Sequence, residues 1–500
     1  MSGSMNSVPV LLFLSLAVFG CSAPEPDGSI DASSLTAPAR RTLSALRGAW
    51  TGEIGKSRQR VVFRFVETTD GERAAFLDLP DNGHAEAPLT GFVVDGDALE
   101  IAFATLGIQF DGRLATAGTR LLEGVLSDGR RSFPISMTWS DGWAPTHLVP
   151  RRTPDGGREI RYAYRPPASG RWPVARLDRP SIATFESIVE EVLDERLSGV
   201  DAILVARNGT LLAEEYFHGF DATRRHSLRS VTKSVAAILA GAAVESGALD
   251  GVDRTVASID PVLADVHGWG AVRRNITVDH LLTMSSGLDG DDWKSGGSHE
   301  EPVQATDDWV GYVAALPSIA PPGERFAYNG ASLLLLARAL ERTSGTTVPT
   351  FATRHVFGPL GIEDALWHTS PAGTAYLSAG LSLRPRDVLR LGLLWLRDGV
   401  VDGRRLLPEG FVEFASRARW TVPFMNARYG RLWWSDTVTD DAGDEVEVTM
   451  ALGLGGQGLF IVPARDLVIA VLAGNYYLSD RARQSREIMR RLLRMRASDG

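Results

Sequence analysis

Between Gly48 and Trp139 apolar and polar residues alternate over short stretches, broken at intervals by turn dipeptides. In Arg60–Val66 the residues Val62, Arg64 and Val66 fall on one face and Phe63 and Phe65 on the other, the two-residue period of a half-buried strand. Asp70-Gly71, Asp81-Asn82-Gly83, Asp95-Gly96, Asp111-Gly112 and Asp128-Gly129 read as turns, with strand-like runs at Leu99–Phe103 and Phe133–Met137. Turns at this spacing predict a small all-β domain over residues 45–145, a barrel or sandwich. Residues 146–179, rich in Pro, Arg and Gly, read as a linker.

From residue 180 to 500 the pattern changes to mixed helix and strand. Ser181–Leu197 has helical spacing. Ala202–Ala206 and Leu211–Tyr216 read as strands around Asn208-Gly209, a strong hairpin signal. Ser230–Ser246 reads as a long Ala-rich helix ended by Gly247, and Leu333–Arg342 and Arg384–Arg397 as further helices. Strands at Leu459–Val462 and Leu467–Ala473 and a helix at Ser479–Leu493 close the chain, and no internal repeat is evident.

The amino terminus is different again. Val8–Gly20 is an apolar run too short to span a bilayer, which takes about 20 residues, and it fits the apolar core of a secretory signal. Cys21, the only cysteine, follows it directly. A small residue before a lone cysteine at this place resembles a bacterial lipoprotein signal, which implies export, lipidation of Cys21 and attachment to a membrane of the cell envelope. Residues 22–44, rich near their start in Ser, Ala, Pro and Asp, read as a flexible tether. A single cysteine allows no intrachain disulfide.

A composition of 44% hydrophobic and 23% charged residues is that of an ordinary globular protein, and 500 residues suffice for two or three domains. The net charge of −9 argues against a nucleic-acid partner, which calls for a basic face. No His/Cys/Asp cluster has metal-ligand spacing, and no phosphate-cradling or dinucleotide loop occurs, so neither metal nor cofactor is implied.

Lysine occurs only at Lys56, Lys233 and Lys294, in a chain otherwise reliant on arginine. Lysine can lose its proton when buried and arginine effectively cannot, so each lysine is a candidate base. Only Lys233 has a serine three residues before it, Ser230; Lys56 has Glu53 and Lys294 has Asp291. Residues three apart share a helix face, so Ser230 Oγ and the Lys233 amine can meet if a helix starts there. A serine hydroxyl needs such a base to act as a nucleophile at neutral pH. Burial and nearby positive charge would lower the Lys233 pKa. The bland alternatives are a helix N-cap for Ser230 and a solvated surface lysine for Lys233.

The surroundings favour the catalytic reading. Asn208–Leu211, Glu215–Gly219 and His226–Ser234 come first. Leu281–Leu288, Pro322–Asn329, Phe357–Ile362, Tyr429-Gly430, Trp433-Trp434, Gly455-Gly456-Gln457 and Pro463 then follow in order. Together they resemble the serine β-lactamase-related and penicillin-binding-protein-like hydrolases, and among these the 6-aminohexanoate-dimer-hydrolase-like enzymes. The resemblance covers roughly residues 180–495. It implies an α+β fold of the β-lactamase/transpeptidase type, an antiparallel sheet flanked by helices with a helical subdomain. It also implies acyl transfer through Ser230, with Lys233 and Tyr328 as catalytic partners and a small ester or amide as substrate.

Two departures bear on this. The family's Tyr-x-Asn appears here as Tyr328-Asn329-Gly330, which leaves the role of Asn329, toward Lys233 or substrate, open. No lysine follows Lys294, so the family's Lys-Thr-Gly, which helps bind a substrate carboxylate, is missing; Lys294-Ser295-Gly296 lies in the wrong order and reads as a loop. Gly455-Gly456-Gln457 takes that place instead, with a backbone N–H at Gln457 expected to join the Ser230 N–H in an oxyanion hole. Trp293, Trp433 and Trp434 are candidate walls of an apolar pocket, and His226 is expected to be structural. Three alternatives stay open: D-alanyl-D-alanine carboxypeptidase or β-lactamase activity, amide rather than ester specificity, and a non-catalytic surface-anchored binding protein. The segment Gly48–Ile54 resembles accessory β-domains ahead of some bacterial hydrolases, where a packing or spacer role is expected.

Overall fold

The computed structural model describes residues 29–30, 36–140 and 151–498, apart from 55–58, 68–72, 80–83, 105–106, 116–119, 130–131, 153–157, 160–161, 169, 171, 195, 198, 219, 265–269 and 476–480. Cys21, the signal-like segment, Lys56, Asp70-Gly71 and Asp81-Asn82-Gly83 lie outside the described residues. The chain divides into two compact units, one of residues up to 147 with 474–476, the other of the remainder.

The first unit is a ten-stranded antiparallel sheet running from Ser29–Ile30 to Ser132–Ser140. Its strands keep the expected alternation: in Ala98–Phe103 the residues Leu99, Ile101 and Phe103 are buried. Phe63 meets Phe103 at 5.5 Å and Phe110 at 5.2 Å, although their strands are not neighbours in the sheet. The sheet therefore curls around one core, the barrel of the two expected forms. Gly96 and Gly129 turn the chain at φ of 63° and 77°. Asp111-Gly112, expected as a turn, lies instead inside the strand Ile108–Leu114. A Cβ at Gly112 would collide with the Phe110 ring and with the Glu123 carbonyl, so this glycine makes room for packing.

Two segments expected as connectors carry structure. Overlapping the end of the supposed tether 22–44, Ala37–Leu46 is a helix whose Leu43 and Leu46 enter the barrel core. Within the supposed linker 146–179, Tyr162 Oη donates to Glu215 at 2.5 Å and Tyr164 Oη to the Leu212 carbonyl at 2.7 Å, while Trp172 and Leu177 are buried. Pro, Arg and Gly dominate the composition there, but a few apolar anchors decide where the segment goes.

The second unit centres on an eight-stranded antiparallel sheet. Its strands are β1 (Val200–Arg207), β2 (Thr210–Tyr216), β3 (Trp420–Val422), β4 (Ala427–Tyr429), β5 (Trp434–Thr439), β6 (Glu445–Gly453), β7 (Gln457–Val462) and β8 (Leu467–Ala473). The order is β2-β1-β8-β7-β6-β5-β4-β3. Asn208 and Gly209, at φ of 50° and 73°, form the tight β1–β2 turn that their dipeptide predicts. Every residue of β7 and β8 is buried, so both sheet faces are covered.

The helices α1 (Arg179–Leu193), α2 (Val231–Glu245), α3 (Leu333–Ser344), α4 (Pro385–Leu396) and α5 (Arg481–Leu492) end within a few residues of their expected bounds. Helices α4 and α5 both pack on β7 and β8, and α2 packs on β6. Helix α3 gathers the short helices Val256–Ile259, Val278–Leu282 and Trp309–Ala315 into the helical subdomain. Asp260 ties that subdomain by accepting from Arg338 and Arg342 at 2.7 and 3.0 Å.

Candidate active site

Ser230 stands at the entrance of α2. The two-residue strand His226–Ser227 pairs with Leu381–Leu383, and Arg229, at φ 48°, turns the chain sharply before the helix begins. His226 is buried and its Nε2 lies 2.8 Å from Asp201, whose other carboxyl oxygen is 2.8 Å from His218. Burial works to raise the Asp201 pKa, but its hydrogen bonds to the two histidines outweigh that and hold it below the usual carboxylate value. His226 thus fixes the strand leading to Ser230, the structural role expected of it.

The Ser230 side chain does not cap the helix. Its Oγ accepts instead from Lys233 Nζ at 3.0 Å. Lys233 is 2% exposed, far from a solvated surface lysine. Its other two donors go to Ser378 Oγ at 2.8 Å and the Ser378 carbonyl at 3.0 Å, which completes the three bonds an ammonium can donate. Ser378 was not singled out in the sequence; the run of small residues Ser378-Ala379-Gly380 before an apolar strand was its only cue. Ser378 Oγ in turn donates to Glu300.

The Lys233 pKa departs from expectation. Burial works to lower it, but Tyr328, Glu300 and Asp292 outweigh burial and hold it above the ordinary lysine value. The expected nearby positive charge is replaced by acids. Asp292 accepts from the Gly330 N–H at 2.9 Å and from Ser298 Oγ at 3.0 Å. Burial first, and then the charge of Glu300, push Asp292 up to about 7, against the opposing pull of Lys233.

Tyr328 completes the cluster. Lys233 Nζ sits 4.8 Å from its ring centroid, and its hydroxyl interacts with both Ser230 and Lys233. Burial raises the tyrosine pKa, offset in part by Lys233 and Ser230. Trp293 stacks on Tyr328 at 4.3 Å and 6°. Trp293 is 39% exposed, and Phe424, edge-on to it at 4.7 Å, is 69% exposed. The two form an open aromatic wall beside the cluster. Trp434 backs this wall, 6.1 Å from Tyr328. Trp433 does not: it is buried and stacked on Trp395 at 4.2 Å, away from the wall.

The remaining candidates make other contacts. Asn329 donates to the Asp289 carbonyl at 3.0 Å and accepts from the Ser332 N–H at 3.2 Å, so it ties its own segment to the Asp289 loop. Gln457 sits in the ladder opposite Gly453, and its buried side chain exchanges hydrogen bonds with the Ala473 backbone. Gly456, at φ 96°, belongs to the β6–β7 turn. The strand end that meets the Ser230 segment is Gly453, where a Cβ would fall 2.6 Å from the Leu228 carbonyl. The Ser230 N–H makes no backbone hydrogen bond among the described residues. Lys294 is exposed, pairs with Asp291 at 3.3 Å and lies in the loop expected for it.

A serine beside a buried lysine and a tyrosine, at the mouth of a helix packed on an antiparallel sheet, defines a serine hydrolase of the β-lactamase and penicillin-binding-protein type. The chain belongs to the Beta-lactamase family, which matches residues 185–492. The family supports an acyl-enzyme mechanism. The chain is 29% identical over 331 residues to 6-aminohexanoate-dimer hydrolase of Paenarthrobacter ureafaciens, covering 62% of this chain and 80% of that protein. It is 31% identical over 182 residues to lovastatin esterase of Penicillium rubens, covering 33% of this chain and 45% of that one. A solved structure of a candidate 6-aminohexanoate-dimer hydrolase from Bacillus anthracis superposes with a TM-score of 0.53 at 22% identity, over 65% of this chain and 88% of the other, a likeness of fold.

Proposed function

We propose that the chain is an exported serine hydrolase that cleaves small esters or amides through an acyl-enzyme on Ser230, with Lys233 as base and Tyr328 as proton donor. The observation that carries this reading is the 3.0 Å hydrogen bond between Lys233 Nζ and Ser230 Oγ beneath a partly buried serine. Lys233 takes the serine proton as Oγ attacks the carbonyl. The Ser230 N–H, at the first turn of α2, stabilises the oxyanion from a preorganised position. Tyr328 passes a proton to the departing oxygen or nitrogen, and water then releases the acyl group. The open wall of Trp293 and Phe424 suits an apolar acyl or alkyl group. The names of the two relatives, an amide-dimer hydrolase and an esterase, keep both bond types in view.

The test is turnover of short p-nitrophenyl esters by protein lacking residues 1–21. Ser230→Ala and Lys233→Ala are expected to cut kcat/KM by roughly a thousandfold or more. Full activity in Ser230→Ala would overturn the reading. Export and anchoring through Cys21 are part of the same proposal: palmitate labelling in cells should mark the full chain and vanish in Cys21→Ser, and labelling that persists contradicts the anchor.

A further inference from the structure

Lys233 is held by acids in a way that a general base is not. All three of its donors are satisfied, and its surroundings favour the ammonium, which cannot accept the Ser230 proton. The base has to lose a proton first, and the hydrogen-bonded chain shows where that proton can go. Lys233 Nζ donates to Ser378 Oγ, and Ser378 Oγ donates to Glu300. Asp292 stands beside that end of the chain. A Cβ at Gly330 would collide with Ser378 Oγ and approach carboxyl oxygens of Glu300 and Asp292 at 2.6 and 2.8 Å. Gly330 occupies the place that the Tyr-x-Asn pattern gives to asparagine. Here the glycine leaves that volume to a serine and two carboxyls.

We infer that Glu300, reached through Ser378 and flanked by Asp292, is the proton acceptor that converts the Lys233 ammonium to the amine able to deprotonate Ser230. The inference rests on the Ser230–Lys233 reading. In the step, a Lys233 N–H proton moves to Ser378 Oγ while the Ser378 hydroxyl proton moves to the Glu300 carboxylate. Lys233 becomes a neutral amine, Ser378 stays a neutral hydroxyl and Glu300 becomes a carboxylic acid. The amine then takes the Ser230 proton as Oγ bonds to the carbonyl carbon and the carbonyl electron pair moves to oxygen. When the leaving group has taken its proton, the Glu300 proton returns along the same chain. Glu300, Ser378 and Asp292 touch no substrate and are positioning residues.

Among the described residues, the charged and titratable groups around this chain include Lys233, Tyr328, Asp292, Glu300 and Tyr376, with His368 against Tyr376 and His299 next to Glu300. A protonated carboxyl cannot accept the Lys233 proton through Ser378, so activity fails on the acid side. Removing the Glu300 charge removes the second-largest cause that raises Asp292, so the remaining acid limb moves to lower pH as the rate falls.

The experiment measures kcat and KM for a p-nitrophenyl ester from pH 5 to 9. It compares wild type, Glu300→Gln, Glu300→Asp, Ser378→Ala and Ser230→Ala. Glu300→Gln and Ser378→Ala are expected to lower kcat roughly a hundredfold with little change in KM. In Glu300→Gln the acid limb should shift downward, while Glu300→Asp keeps the limb and part of the rate. If Glu300→Gln does not fold, Ser378→Ala carries the rate test and Glu300→Asp the limb. Wild-type kcat in Glu300→Gln or Ser378→Ala overturns this inference, and so does a uniform loss with an unmoved limb in Glu300→Gln. Activity surviving in Ser230→Ala overturns instead the reading on which it rests.

Discussion

At the scale of single residues, the cluster divides work among groups that look alike in sequence. Of the three lysines, Lys233 is buried against Ser230 and Lys294 is an exposed partner of Asp291. Spacing pointed to Ser230 and Lys233, because the three-residue offset on a helix is a local property, and the surrounding motifs decided for the catalytic reading. Tyr328 was readable only through resemblance, since it lies far along the chain. Ser378, Glu300 and Asp292 were not read, because nothing local ties them to Lys233; the fold brings them there. The proton-donor role of Tyr328 has its own signature. A p-nitrophenolate leaves without a proton, whereas an alkoxide or amine needs one. Tyr328→Phe should therefore slow an ethyl ester at least tenfold more than a p-nitrophenyl ester of the same acid, by order of magnitude. Steady-state kinetics on the pair checks this, and equal losses contradict the role.

At the scale of elements, helices and strands with strong periodicity were legible. Leu467–Ala473 and the Asn208-Gly209 hairpin lie where their patterns put them. The misreadings share one cause. Asp111-Gly112 looks like a turn, but tertiary packing uses its glycine to admit the Phe110 ring. Composition hid the helix Ala37–Leu46, and it hid the anchors Tyr162, Tyr164 and Trp172 in a Pro- and Arg-rich stretch. The anchor segment gives a direct test. A chain starting at residue 148 keeps it, and one starting at 180 loses two buried tyrosine hydrogen bonds and a buried Trp. Losing a large buried aromatic alone costs about 3–5 kcal/mol. Thermal unfolding should show the 180 start clearly less stable than the 148 start; equal melting temperatures would contradict the packing role.

At the scale of the whole molecule, two units with separate cores share one chain, and the catalytic chemistry is assigned to the second. The switch from two-residue alternation to mixed patterns near residue 180 marks a change of architecture, but the second unit already begins at residue 148 and takes in most of the supposed linker. The fold class of the second unit was legible because ordered motifs spread over three hundred residues are hard to meet by chance. The wiring behind Lys233 was not, since it depends on three side chains, Asp292, Glu300 and Ser378, converging on Gly330. The central claim is that Ser230 carries an acyl group during turnover. Mass spectrometry of the protein quenched during turnover of a slowly hydrolysed p-nitrophenyl ester tests it most directly. The account predicts one acyl mass on the peptide containing Ser230, absent in Ser230→Ala and strongly reduced in Lys233→Ala. An adduct on another residue, or one that persists in Ser230→Ala, would contradict it.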